Sequence, residues 1–117
     1  MNKQNSLAIW LPANYDPDSP SVRLRRLNLR KPLRKAGIRT EFIFRYEDLL
    51  AFDHILMMNF SPEMVIQCTE LRKLGKRLYF CHSEQIFGLN CQEQVFNLCD
   101  YIVCCTDKLA RLTEPHI

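Results

Sequence analysis

The chain has 117 residues, 47% of them hydrophobic and 25% charged, with a formal net charge of +3. That length suits one domain with a core of its own, and the balance excludes a disordered polypeptide. No apolar run approaches the roughly 18 residues that span a bilayer, and the charge is too small to argue for nucleic acid.

The polar opening MNKQNS has no signal-peptide pattern, so a cytoplasmic location is expected. SLAIWLP (6–12) is a short apolar run stopped by Pro12 and predicts a buried strand. Residues 13–20 carry turn chemistry in Asn14, Asp16, Asp18 and their prolines, so a loop follows. Ser19 or Ser21 then caps a helix whose apolar stripe is Val22, Leu29, Leu33 and Ala36. Pro32 kinks or splits that helix, and Gly37 ends it.

IRTEFIF (38–44) predicts a second strand and YEDLLAF (46–52) a helical turn. DHILMMN (53–59) predicts a third strand. Pro62 opens a helix that buries Met64, Val65, Cys68, Leu71 and Leu74 and closes at Gly75. KRLYFCH (76–82) is a fourth strand, and a helix covers about Cys91 to Leu98. DYIVCCT (100–106) is a fifth strand, and Asp107 caps a last helix.

Strand and helix alternate with short links throughout, and the central runs are apolar at every position. Strands of that kind are covered on both faces. The expected fold is a doubly wound α/β domain, Rossmann-like or flavodoxin-like. Its mainly parallel five-stranded sheet carries helices on both faces, in one domain over residues 1–117.

The six cysteines form no C-x-x-C pair, and four lie in or beside apolar stretches, so buried free thiols are expected. Cys81, His82 and Cys91 lack a clear fourth ligand, and no metal site is expected. Eight basic residues and no acid fall between Arg23 and Arg39. This is either the wet face of a helix or a surface for an acidic partner or anionic membrane.

Open parallel sheets bind ligands beyond the carboxyl ends of their strands. The loops there supply Asp18, Ser19, Ser21, His82, Ser83 and Thr106 as candidate ligand-binding residues, and Arg23 in the first turn of the following helix joins them, a cation where only a nearby anion or carboxylate would favour one. The three glycines (Gly37, Gly75, Gly88) avoid the first strand–helix loop. Neither G-x-G-x-x-G nor G-x-x-x-x-G-K occurs, so no dinucleotide or triphosphate cofactor is expected. The acidic pair and strand-end aspartate of a receiver domain are also missing, since the third strand ends in Asn59.

YDPDSPSVRLRRLNLRKPLRKAGIRTEFI resembles the start of the N-terminal domain of GT-B glycosyltransferases. The matching positions are Tyr15, Pro17, Asp18, Ser19, Ser21 and Arg23, then Leu29, Leu33 and Gly37. LRKLGKRLYFCHSEQIF and CDYIVCCTDKLARLT resemble two later segments of that domain, matching at His82 and Thr106. The resemblance runs over residues 6–113. It implies an acceptor-side domain that binds a sugar acceptor or nucleotide-sugar. Such a domain is catalytically incomplete until a C-terminal donor-binding domain completes the transferase. The family's Gly-Gly is absent from the first loop, so side chains would have to make the contacts there. The alternative expectation is a non-enzymatic interaction domain whose basic helix docks an acidic partner or membrane surface.

Overall fold

The computed structural model describes residues 3–11, 34–58, 61–82, 91–104 and 107–116. The described residues hold five strands: β1 (Lys3–Trp10), β2 (Arg39–Ile43), β3 (Phe52–Met57), β4 (Arg77–His82) and β5 (Tyr101–Cys104). A 3-10 turn (Tyr46–Ala51) leads into β3. Helix α1 (Pro62–Lys73) joins β3 to β4, α2 (Gln92–Leu98) lies between β4 and β5, and α3 (Asp107–Thr113) follows β5. The strand order is β2-β1-β3-β4-β5. The β1/β2 and β4/β5 ladders are parallel, so the expected doubly wound α/β class is the observed one. Where predicted strand and helix ends fall on described residues they agree with the observed ones to within about three residues, the usual slack of such boundaries. The helix expected from Ser19 or Ser21, with its kink at Pro32, lies outside the described residues apart from its end at Gly37.

The chain divides into two compact units, Met1–Ile55 and Leu56–Ile117. In the first, Ser6 to Trp10 of β1 register against Arg39 to Ile43 of β2. The Leu11 amide extends the ladder by donating to the Ile43 carbonyl at 2.9 Å. Ala8, Ile9, Trp10 and Leu11 are all buried in succession, as a strand covered on both faces requires. The Trp10 ring leans on Tyr46 at 6.2 Å between centroids. Gly37 stands at φ +78° with its amide donating to the Arg34 carbonyl, so the glycine stop is where the sequence places it.

In the second unit α1 is specified at both ends. Ser61 Oγ accepts from the Met64 amide at 3.2 Å, and Pro62 fills the first helical position, where no amide is needed. At the other end Gly75 adopts φ +81°. Its amide donates to the Arg72 carbonyl and that of Lys76 to the Leu71 carbonyl, the Schellman pattern. Met64, Cys68 and Leu71 form the buried stripe of α1. Val65 is half-buried, and Leu74, expected on that stripe, is 60% exposed. At about 100° per residue Leu74 falls about 60° beyond Leu71, outside the arc that Met64, Cys68 and Leu71 bury.

Among the described cysteines, Cys68, Cys81 and Cys91 are buried and Cys99 and Cys104 half-buried, and all five are free thiols. No helix among the described residues is long and apolar enough to cross a membrane.

Candidate functional site

Of the candidate ligand-binding residues, His82 lies within the described structure. Asp18, Ser19, Ser21, Arg23, Ser83 and Thr106 lie outside the described residues, as does nearly all of the basic segment 23–39. Its described members, Arg34, Lys35 and Arg39, are exposed.

His82 is the last residue of β4. Strand alternation sends Phe80 and His82 to one face and Cys81 to the other, and all three are buried. The Phe80 and His82 rings meet Phe96 of α2. The Phe96 centroid lies 5.0 Å from Phe80 and 5.3 Å from His82, both edge to face, while Phe80 and His82 are 6.3 Å apart. Edge-to-face contact is the arrangement that ring quadrupoles favour. The imidazole is therefore held in an aromatic nest at the carboxyl end of the strand, where parallel sheets bind ligands. At 5% exposure it is a packed residue rather than a free rim group.

Across residues 83–90 the chain re-enters the described structure at Cys91, which adopts φ 64° immediately before α2. A non-glycine residue at positive φ is uncommon and costs local energy, so the surrounding structure dictates this turn. It places Gln92, 1% exposed, in the first turn of α2 beside Val95 and Phe96 on the buried side. His82 Nε2 and Gln92 Oε1 are buried atoms that make no hydrogen bond, although both residues have other interactions. Sequence reading missed Gln92. Only its helical phase with Val95 and Phe96, three and four residues on, could have signalled an inward-facing amide.

At the opposite end of the strands a second polar cluster does structural work. The Asp100 carboxylate accepts from the Leu78 amide at 2.8 Å and from Arg72 Nη1 at 3.1 Å. The Asp100 amide in turn donates to the Leu78 carbonyl at 2.8 Å, and Arg72 Nη1 also donates to the Leu98 carbonyl at 3.0 Å. Desolvation pushes the Asp100 carboxyl up, but the Leu78 amide and the Arg72 guanidinium outweigh it and hold the carboxyl below its ordinary value. Asp100 opens the segment CDYIVCC, and its observed role is to clip α1, β4 and the start of β5 together.

Near the end of β5, the Cys104 thiol lies 3.8 Å from Thr113 Oγ1, which donates to the Leu109 carbonyl at 2.7 Å. Among the described residues no group of three or more His, Cys, Asp or Glu is arranged to hold a metal ion.

No protein-family model matches the chain, and no curated protein matches it significantly. Among solved structures it is similar to a Burkholderia pseudomallei protein described as pilus assembly-related. The TM-score is 0.55 and the identity 12%, covering 97% of this chain and 92% of that one. At that identity the likeness shows the fold alone.

Proposed function

We propose that this chain is a ligand-binding domain of the glycosyltransferase acceptor-side type. It takes a sugar acceptor or nucleotide-sugar at the carboxyl end of its sheet and does not catalyse transfer by itself. The carrying observation is the placement of His82 at the end of β4, with Gln92 buried at the start of α2. Parallel sheets receive ligands at that end, and an imidazole and a primary amide are hydrogen-bonding groups suited to sugar hydroxyls or phosphate. The sequence resemblance over residues 6–113 supplies the ligand class, and Asp18, Ser19, Ser21, Arg23, Ser83 and Thr106 complete the proposed contacts. A cytoplasmic location and completion by a C-terminal donor-binding domain belong to the same reading.

The test is a thermal-shift panel of nucleoside diphosphates, nucleotide-sugars and sugar-lipid acceptors on the native chain. A ligand that raises the melting temperature should lose its effect with Arg23→Ala and with His82→Gln. A flat panel would sink the proposal.

A second reading is a non-enzymatic interaction domain. One observation favours it: the basic segment continues into exposed Arg34, Lys35 and Arg39. This reading predicts binding to vesicles with anionic headgroups that weakens with salt and disappears on reversing Arg26, Arg30 and Arg34. Salt-indifferent binding contradicts it.

A further inference from the structure

We propose that the outer edge of β5 docks a second copy of this chain, the two β5 strands pairing antiparallel about a twofold axis. β5 closes the strand order, and among the described residues no strand pairs with its outer edge. Its sequence YIVC carries no charge and no proline, the devices that usually keep such an edge from pairing with another chain. Alternation sends Tyr101 and Val103 to one face, where they are 56% and 41% exposed. The Tyr101 ring stacks on Tyr79 of β4 at 5.5 Å between centroids and 12° between planes, so it stands ordered on its own copy before any partner arrives. Ile102 and Cys104, on the other face, are half-buried, and the Cys104 thiol meets Thr113 of α3 there.

The strand is complementary to itself. Centring the pair on Ile102 sets Tyr101 opposite the second copy's Val103, and Val103 opposite the second copy's Tyr101. Both are aromatic-on-β-branched pairs, a favourable cross-strand combination. Ile102 then faces its own counterpart on the axis, as an isologous contact requires. Slipping by one residue would turn the open face of one copy to the side where the other carries α3, so the register is specified. Charge points to the same occupant. A strand that pairs with Tyr101–Cys104 must bring no charge to be desolvated, and a second β5 meets that condition at every position. The one acid beside the strand, Asp100, is already engaged within its own chain by Leu78 and Arg72. Area sets the strength. Two four-residue strands fall short of the about 1,000 Å² that a lasting interface buries, so the dimer is weak and exchanges with monomer, with a Kd in the range of roughly 10 µM to 1 mM.

The experiment is sedimentation velocity on the native chain, kept reduced, across that concentration range. The expected result is an average mass that climbs from one chain toward two. Val103→Lys should stay at one chain throughout with an unchanged far-ultraviolet circular dichroism spectrum. Ile66→Lys, which removes an exposed apolar residue from α1, should dimerise as the native chain does. Hydrogen exchange of the native chain, which needs no variant to fold, should show the amides of residues 101–104 gaining protection as concentration rises. A native chain of constant single mass, a dimer that survives Val103→Lys, or protection gained only outside β5 overturns the proposal. Protection of β5 that appears with an added apolar strand peptide and never with concentration assigns the edge to a foreign strand and overturns it too.

Discussion

Asp100 ties three elements together at one side chain, because one carboxylate serves the Leu78 amide and the Arg72 guanidinium. Asp100→Ala should cost about 1–2 kcal/mol at neutral pH, the range for hydrogen bonds to a charged group discounted for partial exposure. Because the folded carboxyl is held below its ordinary value, the stabilisation is fully present above the unfolded pKa. It is lost as pH falls through the depressed folded value. Urea midpoints of native and Asp100→Ala chains should therefore converge at acid pH; a constant gap contradicts the assignment. The buried thiols carry the opposite sign. With Cys68 raised from 9.0 to about 12, stability is complete below the ordinary thiol value and drains away as pH rises through that window. At mildly alkaline pH, iodoacetamide should reach Cys68 only after unfolding, and peptide mapping of native and urea-treated chains reads this directly. Nothing in the segment CDYIVCC marked Asp100 as a clip, since its partners are 22 and 28 residues away in sequence.

At the scale of the elements, α1 shows how completely local chemistry can specify a helix. Ser61, Pro62, the stripe Met64, Cys68 and Leu71, and Gly75 each occupy the position their chemistry favours. Ser61→Ala should cost about 1 kcal/mol by releasing the Met64 amide. Gly75→Ala should cost about 1–2 kcal/mol through its φ of +81° alone, because a Cβ there meets nothing within 4 Å. Chemical denaturation of both variants measures these losses; a neutral Gly75→Ala would contradict the left-handed stop. Helix α2 is the contrast. Its start is set by Cys91 at positive φ, a conformation that no residue preference announces. Gln92 follows it into the interior, so a buried amide stands where polar character suggested solvent.

For the whole molecule, the alternation of apolar runs and capped helices made the doubly wound class legible. Ala8 to Leu11, apolar at every position, are buried at every position. The strand order β2-β1-β3-β4-β5 was not legible, because hydrophobic pattern says a strand is covered without saying which strand lies beside it. Of the site, topology alone put His82 at the end of β4. Its aromatic nest with Phe80 and Phe96 depends on how α2 packs on β4, and no local signal encodes that. The central claim is that the carboxyl end of this sheet binds a sugar or nucleotide-sugar ligand. The most direct measurement is the melting temperature of the native chain with each member of a nucleotide-sugar and acceptor panel, repeated for His82→Gln and Arg23→Ala. The account predicts at least one ligand that, at about ten times its Kd, raises the native melting temperature by about 5 °C and leaves both variants unmoved. A panel that shifts nothing, or that shifts native and variant chains alike, contradicts it.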